Sequence, residues 1–136
     1  MDSVIVFFAN ASYEQIEAAA APLGLSGDVV TREAHQFYFR RYSSYEQLAE
    51  LEVQEAKAIQ SLLGSAPESA FQVASHHGAA ASCALEMVSQ LMQQFPASAL
   101  DDDVGHLLSS SSVLALHARS PEHGIYAARE LPSENP

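Results

Sequence analysis

The chain reads as an α+β protein: a ferredoxin-like βαββαβ sandwich with a four-stranded antiparallel sheet and a C-terminal α-helical extension. Three observations lead there. Short β-branched and aromatic runs recur at residues 3–9, 26–31, 35–43 and 69–75, and the second and third are so close that a hairpin is their natural connection. Amphipathic stretches follow the first and third runs. Both stretches open on the same word, SYEQ, at 12–15 and 44–47.

Each element has a local justification. "SVIVFFA" at 3–9 is short, apolar and β-branched, which suits a buried strand. Ser12 then starts a helix, its hydroxyl taking the Gln15 amide while the Gln15 side chain reaches back, the capping-box arrangement. Tyr13, Ile16, Ala20 and Leu23 share one face, and "PLG" at 22–24 closes the segment. "SGDVVT" and "HQFYFRRYS" supply the hairpin strands. Ser44 repeats the cap and opens a longer helix over Tyr45 to about Leu63, with Leu48, Leu51, Ile59 and Leu62 turned inward and Glu46, Glu50 and Lys57 outward. "SAFQVAS" at 69–75 alternates as a fourth strand. Gly78 leads into a helix striped by Ala81, Ala84, Leu85, Val88, Leu91, Met92 and Phe95, which must stop before Pro96. The first two helices are expected on one face of the sheet. The repeated SYEQ is a helix-starting device used twice, because caps draw on few residue types.

Beyond residue 96, "DDDVG" at 101–105 reads as an acidic loop, followed by a short strand at 104–108 and a short helix near 111–118. Residues 1–131 are taken as one domain and 132–136 as a frayed tail.

Charge narrows the function classes. The chain holds 17 acidic and 6 basic residues, a net charge of −11. Nucleic acid and anionic membranes, which reward clustered Lys and Arg, are poor partners, since Arg40–Arg41 is the one close basic pair. A basic protein surface is a good partner, because opposite fields accelerate encounter. With a single cysteine, Cys83, and no apolar stretch near the 18 to 20 residues that span a bilayer, a reducing, cytoplasmic setting is expected.

Catalytic and metal signatures are weak. His76, His77, His106, His117 and His123 show no zinc-ligand spacing, and two adjacent histidines on extended chain point to opposite sides. The Asp101–Gly105 run resembles the start of a calcium loop, yet Ser112 stands where its bidentate glutamate belongs. Cys83 lies among alanines of an apolar helix, the setting of a small buried thiol. Phosphate-cradling loops, dinucleotide fingerprints and nucleophile elbows are absent from the sequence. No metal, no cofactor and no enzymatic activity are expected.

Residues 61–109 carry a Leu-Gly-x-x-Pro turn, a strand, an Ala-rich helix ending in Phe-Pro and an Asp-Asp-Asp-x-Gly loop. In this pattern the chain resembles the small acidic immunity proteins of bacterial polymorphic and secreted toxin systems. The resemblance implies a protein that binds and blocks a cognate toxin, without catalysis. The candidate contact residues are Asp101, Asp102, Asp103, Glu50, Glu52 and Glu55. One alternative is a ligand-binding or regulatory ferredoxin-like module, with a homodimer among its forms, in which Phe37, Tyr38 and Phe39 matter, Phe37 and Phe39 lying on one face and Tyr38 with Arg40 on the other. Another is a small enzyme using histidine and carboxylate acid-base chemistry.

Overall fold

The computed structural model of the protein describes residues 1–42, 53–102 and 106–134. Among these, seven strands form one sheet: β1 (Asp2–Phe8), β2 (Leu25–Ser26), β3 (Val29–Arg32), β4 (His35–Arg41), β5 (Ser69–Ser75), β6 (Ser98–Asp101) and β7 (Leu107–Ser109). Their order is β2-β3-β4-β5-β1-β6-β7, with every pairing antiparallel. The described α-helices are α1 (Tyr13–Ala20), α2 (Val53–Leu63), α3 (Ala79–Gln94) and α4 (Ser110–Arg119). Short 3-10 helices follow at Ala21–Leu23 and Ile125–Glu130.

The protein is therefore α+β with an antiparallel sheet, but the sheet has seven strands rather than four, and its neighbours differ from those of a βαββαβ sandwich. In that sandwich the first and third of these runs would lie side by side and antiparallel, with the fourth at the edge beyond the first. Here β5 stands between β1 and β4, so each hydrogen-bonds to β5 rather than to the other. The reason lies in β5 itself. Six of its seven residues are buried, which requires layers above and below and a partner strand on each side; an edge position would leave one ladder in water.

The helices also divide between the faces, which corrects the expectation of two on one side. Val4, Val6 and Phe8 of β1 join Phe37, Phe39, Phe71, Val73, Leu100 and Leu108 in a large core under α1, α3, α4 and the 3-10 helix at Ile125–Glu130. Ile5 and Phe7, the alternate residues of the same strand, join Ala70, Ala99 and Leu107 in a smaller core under Ala58, Ile59 and Leu63 of α2. Burial on both sides is why β1 reads as an unbroken apolar run.

Several local readings hold. The Ser12 hydroxyl accepts from the Gln15 amide (3.1 Å) and the Gln15 carboxamide accepts from the Ser12 amide (2.8 Å). The β3–β4 hairpin turns on Glu33 and Ala34, both left-handed with φ of 52° and 68°; this is the type I′ pattern, here built without glycine. Helix α3 ends at Gln94, two residues before Pro96. The Ser44 cap and residues 45–52 of the expected second helix lie outside the described residues, and α2 is described from Val53.

The C-terminal third departs most. Ser98–Asp101, expected to lead into an open loop, is strand β6, paired to β1 on one side and β7 on the other. Its serine and alanine carry little strand propensity, and pairing to a central strand overrides it. The expected strand at 104–108 is β7 at 107–109. The tail is tied down at Ser133 and Glu134: the Glu134 amide donates to the Leu107 carbonyl at 2.7 Å.

Candidate functional site

Three of the six acidic candidates, Glu55, Asp101 and Asp102, lie within the described residues. Glu55 is exposed in the first turn of α2. Asp101, at the end of β6, is part-buried and stands opposite Ile5 and Leu107. Those residues point into the core beneath α2, so the register brings Asp101 to the side of the sheet that carries Glu55. Glu50, Glu52 and Asp103 lie outside the described residues.

Asp102 is not an exposed contact: it is fully buried. Its carboxylate accepts from the His106 amide (2.9 Å) and meets His106 Nδ1 at 2.7 Å, while its own amide donates to the His106 carbonyl (3.0 Å). A carboxylate without water must be met by donors, and this one finds them by closing the neck between β6 and β7.

A second polar cluster joins the two ends of the chain. Arg129 grips the Asp2 carboxylate with Nη1 on Oδ2 and Nη2 on Oδ1, the latter at 2.8 Å, and Nη2 also donates to the Asp102 carbonyl at 3.2 Å. The guanidinium lies 5.2 Å from the Tyr126 ring centre. The buried Tyr126 hydroxyl donates to the Asp2 carbonyl and accepts from the Ser75 amide at 3.0 Å. His77 tilts over the same ring at 4.6 Å, with Nε2 3.5 Å from the Asp2 carboxylate. The Arg129 hydrogen bonds hold the Asp2 carboxyl well below its ordinary range, against an opposing desolvation, and Asp2 in turn raises Arg129.

This cluster borders an open cleft of about 400 Å³ lined in part by His77, His123, Tyr126, Arg129 and Glu130. Its strongest donor is already engaged by Asp2, and the tyrosine hydroxyl is spent on backbone. The arrangement staples β1 to the 3-10 helix at Ile125–Glu130. Among the described residues, no three His, Cys, Asp or Glu side chains are placed to hold a metal ion. His76 and His77 diverge as their adjacency requires: His77 borders this cleft and His76 lines a separate pocket beside Met1, Val29, Gln36 and Tyr38. Cys83 is buried in α3, and burial pushes its thiol pKa up.

The sheet face opposite the large core carries an exposed Tyr38 with Arg40 5.2 Å from its ring centre, and Arg40 Nε donates to Gln72 at 3.0 Å. Phe37 and Phe39 are buried, Phe39 stacked on Phe71 at 4.5 Å. Both belong to the large core, and Phe37 also borders the pocket beside Tyr38 and His76.

Sequence reasoning missed Asp2, Tyr126 and Arg129. Their separations of 124 and 127 residues leave no local pattern to find. Comparison of the chain with protein-family models, curated proteins and solved structures finds no match.

Proposed function

We propose that the protein is a non-catalytic binding module that covers a basic protein partner with an acidic surface, in the manner of an immunity protein neutralising a cognate toxin domain in the cytoplasm. One observation carries the reading, the placement of charge. Asp102 is the single buried acid among the described residues, while Glu14, Asp28, Glu33, Glu55, Glu68, Glu122 and Glu130 are exposed. Of the six basic side chains, Arg32, Arg41 and Arg129 are already engaged by Glu86, by Glu14 and Glu17, and by Asp2. The excess negative charge therefore faces outward, where it steers a cationic partner. Glu55 and Asp101, on one side of the sheet, are the described contact candidates, with Glu50, Glu52 and Asp103 their neighbours in sequence.

The test is association with the product of the adjacent reading frame at two ionic strengths. The variant Glu50→Gln/Glu52→Gln/Glu55→Gln/Asp101→Asn/Asp103→Asn is used once its circular dichroism and melting transition match the wild type. Association should slow by about tenfold at low salt and lose its salt dependence, with dissociation less affected. Unaltered association kinetics would remove this surface. Absence of binding would favour a second reading, a ligand-binding or regulatory α+β module, monomeric or dimeric, for which the exposed Tyr38–Arg40 pair on the open sheet face speaks.

A further inference from the structure

We propose that the outer edge of β7 is a docking site for an extended peptide bearing a small hydroxyl residue followed by glutamate, which the chain's own Ser133–Glu134 occupies in cis. The His106 carbonyl accepts from the Asp102 amide, so alternation along the antiparallel pair turns the backbone groups of Leu108 toward β6 and those of Leu107 and Ser109 away from it. Two consecutive tail residues meet all of those that bond outward. The Leu107 amide donates to Ser133 Oγ (3.1 Å), the Leu107 carbonyl accepts from the Glu134 amide (2.7 Å), and the Ser109 amide donates to Glu134 Oε2 (2.5 Å). The second carboxylate oxygen accepts from the Ser112 hydroxyl at 2.5 Å.

An edge strand with unpaired amides is a template for another extended chain, and proteins cover such edges. Here the cover is a short peptide rather than a strand of the sheet, and its recognition is chemical. A hydroxyl takes one amide, a backbone N–H takes the carbonyl two bonds on, and a carboxylate bridges the strand's last amide to the first turn of α4. Pro132 before it favours extended chain and has no N–H to satisfy. Leu131 packs against the large core. A cleft of about 280 Å³, lined in part by Leu108, Ala115, Leu116, Leu131 and Glu134, runs between α4 and the tail. Glu134 remains ionised in this seat: desolvation opposes its charge, but the bonds from Ser112 and Ser109 outweigh it and lower its pKa. A peptide of the same chemistry from another protein fits the same groups once the tail lifts. This inference stands apart from the acidic-surface reading, since it concerns another edge of the sheet.

Amide hydrogen exchange on the full-length chain tests it. In Ser133→Ala/Glu134→Ala the Leu107 and Ser109 amides should exchange about tenfold faster or more, the factor that about 1.4 kcal/mol of lost bonding produces, while Leu108 keeps its wild-type rate. Adding the synthetic hexapeptide Leu-Pro-Ser-Glu-Asn-Pro at about millimolar concentration should restore protection at both amides. A hexapeptide with Ala-Gln in place of Ser-Glu should not. Wild-type exchange rates at Leu107 and Ser109 in the double variant would overturn the latch, and freed amides that the peptide fails to protect would overturn the docking site. If the double variant does not fold, Glu134→Ala carries the same comparison at Ser109, with the same two outcomes.

Discussion

The core under α1, α3 and α4 draws phenylalanines from β1, β4 and β5 and reaches across the sheet from Val30 to Leu108, whereas the smaller core under α2 sets Ala9, Ala58, Ala70 and Ala99 among Ile5, Phe7, Ile59, Leu63 and Leu107. On the first side Phe8, Phe39 and Tyr13 all contact the Phe71 ring, at centroid distances of 4.5 to 6.2 Å. On the second side the apolar cover stops at β5, and over the β3–β4 hairpin the same face presents Thr31, Gln36, Tyr38 and Arg40 to solvent. The difference teaches how one sheet divides its duties. Large interlocking rings on one face secure the fold, and small side chains on the other admit a helix closely while leaving the surface beyond it free to carry polar and charged groups.

The largest effect should come from the aromatic side. Phe71→Ala removes the ring on which three others rest and should cost about 4 kcal/mol, against about 2 to 3 kcal/mol for Ile59→Ala beneath α2, both read as shifts in chemical-denaturation midpoint. Equal losses would erase the distinction between the faces.

A smaller effect is expected where the chain ends are stapled. Asp2→Asn leaves Arg129 without its carboxylate and should cost about 1 to 2 kcal/mol at pH 7, a figure held down because a third of the Asp2 side chain is exposed. Because the folded-state pKa of Asp2 is depressed, its contribution is complete above the ordinary carboxylate range and is lost as pH falls through the lower folded value. The stability gap between wild type and Asp2→Asn should therefore narrow steadily below about pH 4. A gap that stays constant from pH 7 to pH 2 would show that the staple acts through shape rather than charge.

The smallest effect concerns the hairpin bordering the open face. Glu33 and Ala34 hold left-handed conformations that Asn and Gly adopt at lower cost. Glu33→Asn/Ala34→Gly should raise stability by about 1 kcal/mol, seen as a higher melting temperature with an unchanged sheet register. A lower melting temperature would mean that Glu33 contributes a contact its turn geometry conceals.

The sequence by itself determined what short-range forces govern. The Ser12–Gln15 capping box, the hairpin of residues 29–41, the end of α3 before Pro96 and the alternation that puts Phe37 and Phe39 on one face each follow from neighbours within a few positions, so local bonding and periodicity suffice to read them. Tertiary structure alone decided the rest. The Ser98–Asp101 strand exists because β1 offers it a free ladder, not because its serine and alanine favour extension. Insertion of β5 between β1 and β4 depends on burial along both of its faces, which no turn signal encodes. Asp102 cannot be told from Asp101 by residue type, yet strand alternation sends one toward the α2 side of the sheet and the closing of a loop neck carries the other out of water. The Asp2–Tyr126–Arg129 staple joins residues more than 120 positions apart, and the entropy of bringing such distant groups together is met only by the folding of everything between them.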